Sequence, residues 1–318
     1  MKKCIFIVPY FGKLPGYFPL FLKSCEKNPS FDWLIVTNDM TKYNYPQNVR
    51  IMKSNFSDFK KLIQRKFDFQ IELNSVQKLC DYKPVYGYIL EDKIANYEYW
   101  GYCDLDVIFG DLSYYLDKLL SKGYDKLFEL GHFTIFKNNK LNNRLFMKFL
   151  DGKAIYKWCF KNKNVTTFDE VYGNNPDIND IFLSYGKKVY RKNFSFDIQP
   201  GLIGFQNANY DYKSQKYLYE ENYWGKVCTW ENGKIYRSYI IKSSLRKSQY
   251  MYVHLQDRKM SWDKKCLNYE KWLIIPNRIT PLKGGFHDKR IINLSLDLNT
   301  MIYCVNRIMA KCKHVFVK

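Results

Sequence analysis

Several features that define whole classes of proteins are absent from this sequence. No run of about 20 apolar residues occurs, which argues against a membrane-spanning helix. No pair among the nine cysteines has the C-x-x-C spacing, which argues against a zinc site or a disulfide framework and favours a reducing compartment. The apolar run after Met-Lys-Lys is short and is interrupted by Pro9, so it does not indicate a signal peptide. We therefore expect a cytoplasmic protein.

Acidic residues are scarce relative to basic ones. The 318 residues include 51 Lys and Arg against 31 Asp and Glu, a formal net charge of +20. Such a surface attracts nucleic acid, anionic lipid or phosphorylated substrates; the alternative is a solvated basic surface without a specific partner. No zinc-finger spacing, basic region with heptads or ribonucleoprotein motif occurs, so we expect no nucleic-acid partner. The length and the hydrophobic fraction of 46% are enough for one large α/β domain, or for a domain plus a small appendage.

The N-terminal third alternates between buried strands and helices. Its apolar runs predict strands at Cys4–Val8, Trp33–Thr37, 49–51 and Tyr99–Cys103, and a helix at Tyr17–Cys25. This alternation predicts a mostly parallel α/β sheet with helices on both faces. Ligands bind beyond the carboxyl ends of such strands. Here those ends carry Pro9–Gly12, Asn38-Asp39 and Asp104–Asp106, which we expect to meet at one crevice.

The remainder of the chain is less regular. We predict a strand pair flanking Gly131-His132, an amphipathic helix over Asn143–Leu150, a hairpin around Asn232-Gly233 and a last strand at Tyr250–Leu255. No repeat or flexible linker occurs, so we predict one domain over residues 1–290. Residues 291–318 combine helical apolar spacing with basic side chains. They predict a C-terminal helix that lies on an anionic membrane surface or packs on the domain.

The segment Trp100–Gly110 carries the chemistry. Side chains two residues apart in a strand point to the same side, so Asp104 and Asp106 form a carboxylate pair at the end of a buried strand. Two such carboxylates repel each other unless a cation joins them, and oxygen ligands suit Mg²⁺ or Mn²⁺. A metal here binds a diphosphate and neutralises the charge of a diphosphate leaving group. The alternative is a polar turn after a strand.

The order of these segments resembles GT-A glycosyltransferases: a first strand at the N-terminus, a second ending in Thr37-Asn38-Asp39, and Cys103-Asp104-Leu105-Asp106 after a buried strand. Further segments resemble a bacterial family found in polysaccharide biosynthesis loci: Cys80–Pro84 with Tyr86-Gly87, Trp100–Gly110, Gly131–Thr134 and Phe168–Glu170. The resemblance covers roughly residues 1–260. It implies a Rossmann-like GT-A fold, a nucleotide-sugar donor and a Mn²⁺ or Mg²⁺ ion.

The resemblance also implies roles for particular residues around the donor. The residues expected to border the nucleobase and ribose are Pro9, Tyr10, Phe11, Thr37 and Asp39. Asp81 and Lys83 are expected near the donor, with Lys83 against a phosphate, and His132 in the pocket of the donor sugar or the acceptor. The alternatives are a helix cap for Asp81, a solvated charge for Lys83 and a half-buried structural histidine for His132.

Three further roles follow from the same resemblance. His254 is similar to the late histidine that some GT-A families add as a metal ligand beside Asp104 and Asp106, and Arg258 is expected to contact phosphate. Asp169 or Glu170 is the expected catalytic base if the reaction inverts configuration. The alternatives are a structural histidine in a strand and carboxylates at a helix start.

The sequence therefore predicts a glycosyltransferase that moves a sugar from a nucleotide-diphosphate donor, most favourably a UDP-sugar, to a lipid-linked or growing bacterial surface glycan of the capsule or O-antigen type. It is expected at the inner face of the cytoplasmic membrane. One alternative is a nucleotidyltransferase or phosphotransferase with the same metal site, although no Walker-type or other glycine-rich phosphate loop occurs. Another is a basic, aromatic-rich protein that binds carbohydrate or nucleic acid without catalysis, in which the Asp pair is dispensable.

Overall fold

The chain forms two compact units. The computed structural model describes residues 3–283, except 173, 174, 201, 203, 224, 242, 243 and 257, together with residue 305. Unit 1 comprises the residues up to Leu14, Pro29–Leu105 and Leu116–Lys192. Unit 2 comprises Pro15–Asn28, Asp106–Tyr115 and the residues from Asn193 onward. Because each unit is built from three separate segments, composition along the chain does not reveal this division.

Secondary structure is numbered in chain order. The strands are β1 Cys4–Tyr10, β2 Phe31–Thr37, β3 Val49–Lys53, β4 Tyr99–Cys103, β5 Val107–Phe109, β6 Lys126–Leu127, β7 Phe133–Lys137, β8 Val189–Tyr190, β9 Ser195–Asp197, β10 Ala208–Asp211, β11 Lys216–Tyr219, β12 Val227–Glu231, β13 Lys234–Ile241, β14 Ser244–Tyr250, β15 Tyr252–His254, β16 Ser261–Trp262, β17 Lys271–Ile275 and β18 Arg278–Pro281. The α-helices are α1 Phe18–Glu26, α2 Phe56–Gln64, α3 Tyr86–Ile89, α4 Glu91–Ile94, α5 Leu112–Ser121, α6 Ile155–Lys161 and α7 Ile178–Ser184. Short 3-10 helices span Gln77–Val85, Asn142–Met147 and Lys264–Asn268.

Unit 1 contains the sheet that the N-terminal pattern predicts. Its order is β3-β2-β1-β4-β7-β6-β8. The first four strands run parallel, β7 is antiparallel to β4 and β6, and β8 is parallel to β6. All seven residues of β2 are buried, as expected for a parallel strand covered on both faces. The predicted α/β class with a mostly parallel central sheet is therefore confirmed.

One face of this sheet carries the main core of unit 1. Ile5 and Ile7 alternate along β1 and both enter this core, as the period of two requires. Trp100 of β4 stacks on Phe136 with ring centroids 4.7 Å apart. The chain at Gly87 passes so close to this indole that a Cβ would lie 2.1 Å from it, so only glycine fits there.

The amphipathic helix predicted over Asn143–Leu150 is present only in part. The structure has a 3-10 helix at Asn142–Met147, and Lys148 is extended. The Asn143 side chain accepts a hydrogen bond from the Trp100 indole N–H and donates one to Asn138, while Asn142 donates to Asp125. These tertiary contacts fix the turn, and the apolar spacing does not reveal them.

Unit 2 is largely antiparallel. Its larger sheet has the order β14-β13-β12-β17-β18-β16, and a second sheet has the order β5-β15-β9. The predicted hairpin is confirmed: β12 and β13 are joined by Asn232 and Gly233, both with positive φ, as a type I′ turn requires. Trp230 and Trp272 stack at 4.0 Å in the core of this unit. The strand predicted at Tyr250–Leu255 is present as β15, but it is not the last, because β16, β17 and β18 follow it.

No helix in the described part of the chain is long and apolar enough to cross a membrane. The predicted basic amphipathic helix at 291–318 lies outside the described residues, apart from Val305.

Candidate active site

A cleft opens in unit 1 at the carboxyl ends of β1 and β4. It has a volume of about 260 Å³. Its walls include Pro9, Tyr10 and Phe11 at the end of β1, Lys83 from the first 3-10 helix, and Asp104 after β4. Ligand sites at the carboxyl ends of parallel strands are the rule in such sheets. The structure thus brings five of the sequence-predicted site residues together.

The loop after β1 is held in place by side chains from the loop after β2. The Gly12 N–H donates to Asn38 Oδ1 and the Leu14 N–H donates to Asp39 Oδ2, each over 2.8 Å. The pKa of Asp39 is lowered by the Thr41 hydroxyl hydrogen bond and then by the Leu14 N–H. Thr37 is fully buried and accepts a hydrogen bond from the Asp39 N–H. Thr37 and Asp39 do not line the cleft; they stabilise the loop that does.

Lys83 is the centre of a charged network in unit 1. Its Nζ donates to Asp104 Oδ1 over 2.8 Å and to the Gly131 carbonyl over 2.9 Å, and lies 3.3 Å from Asp169 Oδ2. Lys83 comes from the first 3-10 helix and Asp104 from the loop after β4, whereas Gly131 and Asp169 lie later in the chain. The network therefore ties the wall of the cleft to distant parts of the chain. The ammonium group is largely buried, with its side chain 14% exposed.

The pKa values in this network are strongly perturbed. Burial lowers the pKa of Lys83, but the carboxylates of Asp104 and Asp169 outweigh it and raise the pKa well above its usual value. Burial raises the pKa of Asp169 to about 8, against the opposing effect of Lys83. One ammonium group thus faces two carboxyl groups, of which Asp169 is the more deeply buried and the harder to ionise.

Gly131 joins Asp169 and Glu170 to this network. Its N–H donates to Glu170 Oε2 over 3.1 Å. A Cβ at this position would lie 2.6 Å from Asp169 Oδ2 and 3.0 Å from Glu170 Oε2, so the approach of both carboxyl groups requires glycine. Asp169 is buried, whereas Glu170 is partly exposed. His132 is buried, and its carbonyl accepts the Asp104 N–H over 3.1 Å.

Asp81 does not occupy the position that the sequence suggested. Its side chain is fully buried and paired with Lys78, and its oxygens accept the backbone N–H groups of Thr166 and Phe168. This arrangement does not fit a donor contact. It makes Asp81 a structural residue of unit 1.

In unit 2, His254 lies between two carboxylates. β15 pairs with both β5 and β9, which places His254 opposite Val107 and Asp197. Its Nδ1 lies 2.9 Å from Asp197 Oδ1, and its Nε2 lies 3.3 Å from Asp106 Oδ1. Gln256 also donates to Asp197 Oδ1 over 2.7 Å. Burial lowers the pKa of His254, but Asp106 and Asp197 outweigh it and raise the pKa well above its usual value.

This cluster fits a divalent metal. A carboxylate that fixes one ring nitrogen and directs the other outward is the usual support of a metal-bound histidine. The carboxylate oxygen of Asp106 and the imidazole Nε2 of His254 form a mixed oxygen and nitrogen donor set, of a kind that binds divalent first-row metals.

Arg258 does not fit the predicted phosphate contact. Its guanidinium is buried, donates to Asn277 Oδ1 and to the carbonyls of Leu202 and Gly204, and packs over the Phe205 ring at 5.0 Å. These contacts hold neighbouring loops of unit 2 together.

Sequence reasoning missed Asp197 and Cys80. Asp197 supports His254 only through the pairing of β9 with β15, which no local motif shows. Cys80 lines the cleft, and burial raises the pKa of its thiol to about 12, so it acts there as a small apolar side chain. The signal for Cys80 was its position one turn before Lys83.

Comparisons with known proteins identify a family. Among solved structures, the chain is similar to the galactosyltransferase LgtC in complex with donor and acceptor sugar analogues, at 13% identity over 62% of this chain and 76% of that one, with a TM-score of 0.33. It is also similar to an active-site mutant of LgtC, at 13% identity over 62% and 75% of the two chains, with a TM-score of 0.32. No curated protein sequence matches. A family model matches residues 6–283, and the chain therefore belongs to DUF6625, a family of unknown function.

Proposed function

We propose that this protein is a metal-dependent glycosyltransferase that uses a nucleotide-diphosphate sugar. The observation that carries the proposal is the Asp106–His254–Asp197 arrangement, because a histidine buried between carboxylates is a costly structure unless it serves a site. Asp104 is separated from Asp106 by one residue, so chain geometry keeps their Cα atoms within about 7 Å of each other. We therefore propose Asp104, Asp106 and His254 as the ligands of one Mn²⁺ ion.

The cleft in unit 1 suits the nucleotide. Tyr10, Phe11 and Tyr86 give it aromatic walls, against which a nucleobase can pack, and Lys83 supplies a positive charge beside Asp104. When bound, the metal would neutralise charge on the diphosphate leaving group. Lys83 already pairs with Asp104, so a diphosphate that takes over this ammonium group would free the Asp104 carboxylate. Uridine is the base we expect.

The acceptor side of the site is proposed around Glu170. A general base must be ionised and must be within reach of the acceptor hydroxyl. Asp169 is buried and its pKa is raised to about 8, so it is a poor base at neutral pH. Glu170 is partly exposed and is oriented by the Gly131 N–H. If the reaction inverts configuration, we propose Glu170 as the base and Asp169 as the group that fixes Lys83.

The acceptor that we propose is a lipid-linked or growing bacterial surface glycan. The net charge of +20 favours a location at an anionic membrane surface, where such acceptors are attached. This part of the proposal rests on composition and on the resemblance given above.

Thermal-shift measurements with nucleoside diphosphates, with and without Mn²⁺, test the proposal. We expect uridine diphosphate to raise the melting temperature only weakly alone and strongly with Mn²⁺. Asp104→Asn and Asp106→Asn should each remove the metal-dependent part and abolish sugar transfer, while Asp211→Asn, which changes a partly exposed carboxylate elsewhere in unit 2, should change neither. A metal-independent shift, or normal transfer in both variants, would refute the metal site. Incorporation of phosphate or nucleotide rather than sugar would instead favour the nucleotidyltransferase alternative.

A further inference from the structure

We infer that the buried pair Lys78–Asp81 and the left-handed residue Thr167 form a clamp that presents Asp169 and Glu170 to Gly131 and Lys83. Asp81 is then a positioning residue that acts through the backbone. The consequence for turnover rests on the proposed function, but the clamp itself does not.

The Asp81 carboxylate binds both sides of one residue. Oδ2 accepts the Thr166 N–H over 3.0 Å, and Oδ1 accepts the Phe168 N–H over 3.0 Å. Thr167, between them, has a φ of 58°. This left-handed conformation is an outlier for a β-branched side chain, which persists only where surrounding contacts impose it. The two charge-assisted hydrogen bonds from the flanking N–H groups are such contacts.

Lys78 completes the clamp from the other side of the same segment. Its Nζ pairs with Asp81 Oδ2 and also donates to the carbonyls of Cys159 and Asn164. Both charged side chains are buried, at 1% and 0% exposure. The pair therefore binds the chain before Thr166 through two carbonyls, and binds Thr166 and Phe168 through their N–H groups.

The clamped residues lead directly to the candidate catalytic carboxyl groups. Phe168 is followed by Asp169, whose carbonyl accepts the Tyr102 hydroxyl over 2.9 Å and whose carboxyl group faces Lys83. Glu170 then reaches the Gly131 N–H. A change in the Thr167 backbone would therefore displace both carboxyl groups together.

The strand side of this site is built in the same way. Phe128, close before Gly131, is also left-handed, with a φ of 69°. The buried Lys126 side chain donates to the Phe128 carbonyl, and the Phe128 N–H donates to the Tyr190 carbonyl over 2.7 Å. Two left-handed residues, one held by Asp81 and the other by the buried Lys126, thus lie close before the Gly131–Glu170 contact. Backbone strain of this kind concentrates at functional sites, where it fixes geometry in advance of binding.

Amide hydrogen exchange and kinetics on three variants test the clamp. In Asp81→Asn the carboxamide keeps the shape but loses the charge, so the Thr166 and Phe168 amides should exchange at least about 10-fold faster. The turnover number should fall about 10-fold or more with the donor KM nearly unchanged, because the cleft residues stay in place. Adding Thr167→Gly, which removes the steric penalty of positive φ, should restore part of both losses. Adding Thr167→Val instead, which keeps the β-branched constraint, should restore neither.

Equal behaviour of the Gly and Val double variants would overturn the inference. If Asp81→Asn does not fold, the wild-type chain still decides: the Thr166 and Phe168 amides must be as protected as amides of β1, and rapid exchange at both would overturn the inference. The Gly substitution alone should then melt at a higher temperature than the Val substitution, and the reverse order would also overturn it. If Asp81→Asn loosens both amides but the wild-type protein transfers no sugar, the proposed function is refuted and the clamp is not. Lost transfer with unchanged amides would refute the clamp but not the function.

Discussion

Gly131→Ala is the sharpest single test of the geometry around Asp169 and Glu170. The substitution adds one methyl group and changes no charge. Its Cβ would lie 2.6 Å from Asp169 Oδ2, whereas ordinary contacts begin at 3.4 Å, so the two groups must separate by 3.4 − 2.6 = 0.8 Å. Glu170 Oε2, at 3.0 Å, must also move. Neither carboxyl group is free to give way, because Asp169 is buried against Lys83 and Glu170 is bound to the Gly131 N–H.

The expected losses follow from this displacement. Overpacking in a well-packed region costs about 1–3 kcal/mol of unfolding free energy. A displacement approaching 1 Å in reacting or positioning groups costs about 10²-fold in rate. We therefore expect Gly131→Ala to reduce the turnover number by about 10²-fold while the protein remains folded. Nucleotide affinity should stay close to wild type, because Gly131 does not line the cleft.

The assay is metal-dependent transfer or hydrolysis of a UDP-sugar, paired with thermal unfolding by circular dichroism. Gly16→Ala is the matched control, since a Cβ there meets nothing within 4 Å, and both its rate and its melting temperature should equal those of wild type. A wild-type rate in Gly131→Ala would show that the carboxyl groups can retreat without consequence. That result would remove Asp169 and Glu170 from the proposed chemistry.

Three further predictions concern the metal, pH and the membrane. His254→Ala should weaken Mn²⁺ affinity in calorimetric titration without changing nucleotide affinity measured in the absence of metal, and Asp197→Asn should lower Mn²⁺ affinity about 10–100-fold; unchanged Mn²⁺ binding would make His254 structural. Burial raises the pKa of Asp177 to about 7. In the folded protein, Asp177 therefore keeps a proton that it releases in the unfolded chain. The unfolding free energy should consequently fall as pH rises from about 4 to 7, by at most about 1.4 kcal/mol per pH unit from this group. The Asp177→Asn substitution preserves the N-cap of α7. The unfolding free energy of this variant, measured by chemical denaturation, should fall less steeply with pH than that of wild type. An identical slope would refute the assignment. The full chain should sediment with anionic vesicles in a salt-sensitive manner, and a chain truncated after Asn293 should bind less; equal binding would exclude residues 294–318 as the contact.

Sequence patterns predicted the elements whose causes are local. The first strand, predicted at Cys4–Val8 from its apolar, β-branched run, is observed over Cys4–Tyr10, and the β12–β13 turn follows from Asn232-Gly233. The convergence of Pro9–Phe11 with Asp104 follows from a general property of parallel strands. These inferences needed no knowledge of which distant residues meet.

The features that were missed depend on distant pairing. Asp81 lies three residues after Lys78, a spacing typical of an exposed helical ion pair, yet both side chains are buried because the segment around Thr166 covers them. Asp197 becomes a partner of His254 only when β9 pairs with β15. Arg258 resembled a phosphate ligand by charge alone, but its guanidinium is buried and donates to Asn277 and two carbonyls. Burial and register, which one sequence does not specify, decided all three.

The stacked Trp230–Trp272 pair gives this protein an internal optical probe. Two indoles with centroids 4.0 Å apart and planes inclined by 15° couple their electronic transitions, so they should produce a circular dichroism couplet that isolated tryptophans lack. The pair lies wholly in unit 2, whereas Trp100, stacked on Phe136, belongs to unit 1. Loss of the couplet therefore reports the melting of one unit, and a Trp100→Phe variant leaves that signal intact. Unfolding of unit 2 can thus be followed in the full chain without any label.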